Sequence, residues 1–242
     1  MGSGKYGAVS GMIGRMRMMD NISEQLSSAQ VRAYKKGTAT FQAKLEEARS
    51  GMATKAVNHV KVTGETIDFS AGQLEFTGDP LHMALNGDGF FQLQREDGSL
   101  AYTRKGKFEI NGEGILTDAH DQPILSTDGA EILLPGTDVE IAEDGNVWYQ
   151  GEEIAQIGIF RFEDTSVLQR GQGSMFVPID GSQPEVHPKP ALAQYNLEGS
   201  NVDLMRTMAR MTSNLRAFEA LQKAMKVYSD MGSKASEIGL VQ

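Results

Sequence analysis

The chain has no cysteine among its 242 residues. That excludes a disulfide framework, a thiolate-ligated zinc or iron–sulfur site, and a cysteine nucleophile. Long apolar runs are missing as well, so no segment reaches the ~18 residues of a membrane-spanning helix. Near the start, Gly11, Gly14, Arg15 and Arg17 break up the apolar residues, so the continuous core of a secretory signal is absent. Any export would use a route without a cleavable signal. Positive charge is short: the net charge is −9. Residues 1–36 carry +4, 37–197 carry −14 and 198–242 carry +1. So acidic a middle argues against nucleic acid, whose affinity comes from neutralised phosphates.

Signatures of catalysis are also missing. His59, His82, His120 and His187 are scattered, and none forms a metal-ligand spacing. Asp118 and Asp121 flank His120, without the glycine and terminal glutamate of a calcium loop. Gly87-Asp88-Gly89 lacks the third glycine and following helix of a dinucleotide site, so it reads as a turn. There is no P-loop and no nucleophile elbow. The expectation is a protein without catalytic activity, cofactor, metal or small-molecule substrate, and not an integral membrane protein.

What is present divides in three. Of 13 methionines, five lie in residues 1–19 and five in 205–231. Met suits adaptable helix surfaces. Leu204, Met211, Phe218 and Met225 recur every seven residues, with Met208 and Leu215 at the second seam position and Leu221 and Tyr228 beside it. Ser200 and Asn201 are N-cap candidates for this helix, and Gly232 interrupts it near the end. Val9, Met12, Met16, Met19, Ile22 and Leu26 repeat the spacing more weakly, predicting a helix over 8–35 with a glycine-rich, frayed start. Phe41, Leu45 and Ala48 suggest a second helical stretch over 38–50, ended by Gly51.

From Val57 to Val186 the texture is short β-prone runs separated by turns. Gly89–Leu93, Lys107–Ile110, Val147–Tyr149 and Ile157–Phe162 are examples. Asp-Gly pairs at 88–89, 97–98, 128–129, 144–145 and 180–181 read as hairpin turns in which both residues can take positive φ. The fold class expected is α+β: a mainly-β, hairpin-rich sandwich or barrel, flanked by N- and C-terminal heptad helices that pair as a coiled coil. The expected division is an axial helix over 1–36, a linker or short helix over 37–70, a β-rich body over 71–196 and a second axial helix over 197–242. A helical hairpin within one chain and a seam between subunits look alike at this level.

One set of residues resembles a known family. Gly72-Gln73-Leu74, Thr77, Pro80-Leu81, Ala84-Leu85, Gly87, Gly89-Phe90-Phe91, Tyr102-Thr103-Arg104, Gly106 and Phe108 are similar to the core signature of the bacterial flagellar rod and hook family. Gly114, Leu116-Thr117, Pro123–Leu125, Ile141, Asp144-Gly145 and Val147 continue it. Leu197-Glu198-Gly199-Ser200-Asn201-Val202-Asp203, Arg216, Phe218-Glu219 and Gln222-Lys223 resemble its C-terminal helix. On the residues alone, Phe90, Phe91, Tyr102 and Phe108 are core aromatics, and Arg104 braces a carboxylate or carbonyl.

The resemblance implies a non-catalytic axial component of the flagellum, exported unfolded by the type III apparatus and assembled with other rod subunits in the basal body. Terminal helices would pack into an inner tube with the β-rich part outside. Met12, Met16, Met19, Leu26, Leu204, Met208, Met211, Leu215, Phe218 and Met225 would carry the seam. The short path from Tyr34-Lys35-Lys36 to Gly72 is most like the proximal-rod members, with distal-rod members second. The family's Asn-rich motif after the first helix is kept only at Asn21, Leu26, Tyr34 and Lys35, and His120-Asp121 stands where a glycine is common. A second reading, a secreted β domain binding polysaccharide or peptidoglycan, rests on the acidic middle and on Trp148 beside Tyr149.

Overall fold

The computed structural model describes residues 2–46, 57–179 and 181–239. Helix α1 (Gly2–Ser27) is followed by two long strands, β1 (Gly37–Glu46) and β2 (Val57–Ile67). Short strands follow: β3 (Leu74–Phe76), β4 (Met83–Leu85), β5 (Phe90–Gln94), β6 (Leu100–Thr103), β7 (Glu109–Ile110), β8 (Leu116–Thr117), β9 (Glu140–Ile141) and β10 (Asn146–Tyr149). Next come β11 (Glu152–Gln156), β12 (Ile159–Arg161), β13 (Leu168–Arg170), β14 (Met175–Pro178), β15 (Glu185–Val186), β16 (Leu192–Gln194) and β17 (Asn196–Glu198). Helix α2 (Leu204–Gly239) closes the order. The class is α+β, with a mainly-β body and two helices. The chain forms two compact units: a helical unit of 1–28, 37–68 and 203–242, and a β body of 29–36 and 69–202.

In the helical unit α1 and α2 run antiparallel. Gly11 lies against Leu221, so close that an added Cβ would sit 3.4 Å from its Cδ1. One turn further along, Arg15 meets Asn214. β1 and β2 form a hairpin that runs from Gly37↔Ile67 to Glu46↔Val57, with a register shift at Thr40/Phe41. It packs against α1.

Several expectations change here. The stretch read as helix over 38–50 is strand in its described part. Thr38, Thr40 and Phe41 favour the extended chain, and Val57, Val60, Val62 and Ile67 supply its partner; residues 47–51 lie outside the described ones. α1 ends at Ser27 instead of 35. Residues 29–36 leave the helix because Ala33 takes φ 55° and donates its N–H to the Glu198 carbonyl at 2.9 Å. The N-cap of α2 is Asp203, whose Oδ1 accepts from Arg206 N at 3.0 Å. Gly232 does not interrupt α2, which continues to Gly239. One glycine costs about 1 kcal/mol in a helix interior, too little to break one of this length.

The body is antiparallel throughout. Its largest sheet has the order β13-β14-β6-β5-β12-β15; β11-β10-β9 form a second, and β16-β4, β17-β3 and β7-β8 are pairs. One core holds Met83, Leu85, Phe91, Leu93, Phe108, Leu116, Ile124, Val147 and Ile157, all at 1% exposure or less. Burying one such side chain contributes roughly 1.5–3 kcal/mol. The strand β5 alternates: Phe91 and Leu93 face this core, while Phe90 joins Phe69, Phe162 and Phe176 in an edge-to-face aromatic cluster. Tyr102 meets the same cluster through Phe162.

A single turn closes hairpin after hairpin. At 95–99, 111–115, 126–130 and 142–146, the first N–H bonds the fifth carbonyl and the fourth N–H returns to the first carbonyl. Gly98, Gly114, Gly129 and Gly145 occupy the fourth place with φ of 78 to 90°. These are type I turns with a left-handed closing glycine. The Asp-Gly pairs at 97–98, 128–129 and 144–145 therefore use positive φ at the glycine alone. Both central residues are positive at Gln150-Gly151, the two-residue loop between β10 and β11.

A buried ion hub and a candidate assembly surface

Part of the family signature, Gly72, Leu85, Gly87, Gly89 and Arg104, gathers in the β body around one carboxylate. Glu198, on β17, is 1% exposed. Its Oε1 accepts from Lys35 Nζ at 2.6 Å and from Gly72 N at 2.8 Å, and its Oε2 accepts from Arg104 Nε at 2.9 Å. Lys35 also donates to the Ser70 carbonyl at 2.7 Å. Arg104 spends its other donors on the carbonyls of Gly87 (2.7 Å), Gly89 (2.8 Å) and Leu85 (3.2 Å). Every group in this triad is paired, which is the condition for burying charge. Burial opposes ionisation of Glu198, but the Arg104 guanidinium and Lys35 outweigh it and hold the carboxyl below its ordinary range.

Polar contacts continue outward from the triad. Asn201 Oδ1 accepts from Lys36 N at 2.7 Å, and its Nδ2 donates to Ser70. Arg170 donates to the Lys35 carbonyl at 2.6 Å and stacks over the Tyr34 ring. Ser200 Oγ accepts from Val202 N at 3.2 Å, and Arg32 pairs with Glu75. Residues 33–36, 70–72 and 198–201 all lie close in sequence to where the chain passes from one unit to the other.

The remaining signature residues support the fold. Leu81, Phe91 and Phe108 sit in the core, and Phe90 and Tyr102 in the aromatic cluster. Thr103 Oγ1 accepts from Lys105 N. Gly106 is pressed onto β4, where an added Cβ would fall 1.4 Å from the Met83 carbonyl oxygen. Lys35, Tyr34, Ser70 and Arg170 were not legible as hub members. Lys35 and Glu198 are 163 residues apart, and only the folded register brings them together.

The seam residues fall differently. Of the ten proposed, none is buried. Met16, Leu204, Met208 and Leu215 are exposed, and Met12, Met19, Leu26, Met211, Phe218 and Met225 are half-buried. Inside the helical unit the buried positions are Ala8, Ile22 and Gln25 on α1 and Thr207 and Asn214 on α2. The heptad period is real, but the described positions turned inward mix Ala8 and Ile22 with the polar Gln25, Thr207 and Asn214. The Met and Leu rows stay open, joined by Met205 at 77%, Val227 and Met231. Together these side chains form an exposed apolar face.

Other candidates lead nowhere chemical. Among the described residues no three His, Asp or Glu side chains converge to hold a metal ion, and no helix is long and apolar enough to cross a membrane. Trp148 is partly exposed on β10, and Tyr149 packs against the core.

The β body is fastened around its own buried ion triad, and methionine and leucine side chains stand open on the two terminal helices. Two stretches of the chain match models of the flagellar rod and hook family. Residues 84–149 match the flagellar hook protein FlgE/F/G D1 domain, and residues 193–238 match the flagellar basal body rod FlgEFG protein C-terminal family. The flagellar basal-body rod protein FlgF of Caulobacter vibrioides is 27% identical over 98% of both chains. FlgF of Escherichia coli is 28% identical over 83% of this chain and 86% of its own. FlgG of Borreliella burgdorferi, also a basal-body rod protein, is 27% identical over 93% and 94%.

Proposed function

We propose that this chain is a structural subunit of the bacterial flagellar basal-body rod, of the proximal-rod kind, assembling with copies of itself and with neighbouring axial proteins into the shaft that transmits torque. The observation that carries the reading is the open face of the helix pair. Leu204, Met208, Leu215 and Met16 are 40–53% exposed on helices whose own contact is already made elsewhere. Those rows are free to pack on other subunits, and a head-to-tail contact that does not close generates an open helical shaft. The α1–α2 pair is read as a short antiparallel coiled coil that presents them. The protein acts without catalysis, is exported by the type III apparatus, and works in the periplasmic part of the basal body.

The hub fits this role. Load carried by a rod subunit must pass along its chain between helical unit and body, and the crossing segments are held by a buried, fully paired triad. The test is an in-frame deletion, with basal bodies isolated and viewed by electron microscopy. Truncated rods without hooks, in cells that no longer swim, are expected. Complete basal bodies with normal swimming would refute the assignment.

A further inference from the structure

Asn214 sits at the centre of the α1–α2 seam and is 2% exposed. Its Nδ2 donates to the Arg15 carbonyl oxygen at 2.9 Å, and its Oδ1 accepts from the Arg15 guanidinium at 3.3 Å. One heptad to either side stand Thr207 and Leu221 on α2, and Ala8 and Ile22 on α1. Apolar packing alone chooses poorly among registers here. The inward rows recur every seven residues, so a slide of one heptad brings the same faces together, with Asn214 at the level of Ala8 or Ile22. A buried amide is more selective. It is satisfied only where a donor and an acceptor stand opposite, and leaving it unpaired shifts an equilibrium by roughly tenfold or more.

We propose that Asn214, through Arg15, is the register key of the helix pair. It fixes the axial alignment of α1 on α2, and so sets which outward residues of the two helices stand side by side. Placing a polar side chain in a seam gives up some stability in exchange for a single alignment. The importance of this for rod assembly rests on the function proposed above; the register itself does not.

The absence of native cysteine makes the test clean. Gly11→Cys with Leu221→Cys reports the native register by disulfide formation in the isolated full-length chain. Gly11→Cys with Tyr228→Cys reports a slide of one heptad. With Asn214 in place, the first pair should crosslink at least tenfold more than the second. Adding Asn214→Leu should cut the native crosslink several-fold and bring the shifted one to a comparable level, with helix content kept by circular dichroism. If leucine overpacks the seam and helix content falls, Asn214→Ala carries the same comparison. A crosslink ratio unchanged by these substitutions would overturn the proposal. A chain that fails to build rods in cells would leave the crosslink result intact, so the two failures can be told apart.

Discussion

The two units follow opposite rules of burial. In the β body the large apolar side chains are inside: Phe91, Leu93, Phe108, Leu116 and Ile124 are at 0–1% exposure. In the helical unit the inward positions include Thr207, Asn214 and Gln25, while Met205 and Met231 stand 77% and 56% exposed. Charge differs in the same sense. The helical unit carries 13 basic and 10 acidic residues, net +3; the body carries 10 basic and 22 acidic, net −12. The body thus completes its own hydrophobic core and repels close association with like surfaces. The helical unit leaves apolar area exposed.

The sharpest way to break this contrast is one substitution in each unit. Gly106→Ala puts a Cβ onto the Met83 carbonyl oxygen, and the strand cannot retreat because Met83 N donates to the Gly106 carbonyl at 2.9 Å. The cooperative thermal transition of the body should be lost. Leu215→Asp falls on a residue 40% exposed, so stability of the isolated chain should move by no more than about 0.5 kcal/mol. Assembly and swimming should nevertheless fail. Normal motility from Leu215→Asp would remove the helix face from the assembly surface.

The hub comes next in size. Glu198→Ala leaves Lys35 and Arg104 buried without their shared anion, and breaking a buried pair this way costs about 3–5 kcal/mol. The exposed Arg32–Glu75 pair offers the control: Arg32→Ala should cost under about 1 kcal/mol. Denaturant midpoints of the two variants check the ratio. The triad also sets an acid limit. Because the Glu198 carboxyl is held below its ordinary value in the fold, the unfolded chain binds the proton more readily. Its contribution is complete above the unfolded value near pH 4.3 and fades as pH drops through the lower folded value. The stability gap between the native chain and Glu198→Gln should therefore be constant from pH 7 to about 5 and shrink below pH 4. A gap that widens on acidification would contradict the assigned charge state.

The same contrast explains what could be read in advance. Short β runs such as Phe90–Gln94 and Asn146–Tyr149 were legible because a strand's residue types and its flanking turns are local. The presence of two terminal helices was legible because heptads repeat over many residues. The inward row was not. Periodicity selects the most apolar face, and here much of that face stands exposed while Asn214 and its partner Arg15 meet between the helices. The β1–β2 hairpin was misread because Phe41, Leu45 and Ala48 also fit a helical spacing, and only pairing with β2 decides between them. Arg104 could be seen as a brace. Its partner Glu198 could not, since 94 residues separate them.

The smallest effect tests the turn that organises the body. Five hairpin loops share the same pair of backbone hydrogen bonds; the fifth spans 118–122. Four place glycine at the left-handed fourth position, and the fifth places Asp121 there at φ 60°. A side chain in this region meets its own carbonyl, and aspartate tolerates that only partly. Glycine removes the clash but adds freedom to the unfolded chain. Asp121→Gly would also lose the exposed Asn111 Nδ2–Asp121 Oδ1 hydrogen bond at 3.4 Å, which is long and contributes little. The net should be a gain of roughly 0.5 kcal/mol, with the midpoint raised and the denaturant slope unchanged. The reverse change at an equivalent loop, Gly129→Asp, should lower the midpoint by a similar amount. If Asp121→Gly destabilises instead, the side chain makes a contact worth more than the backbone strain it imposes, and the loop at 118–122 is set apart from its four counterparts.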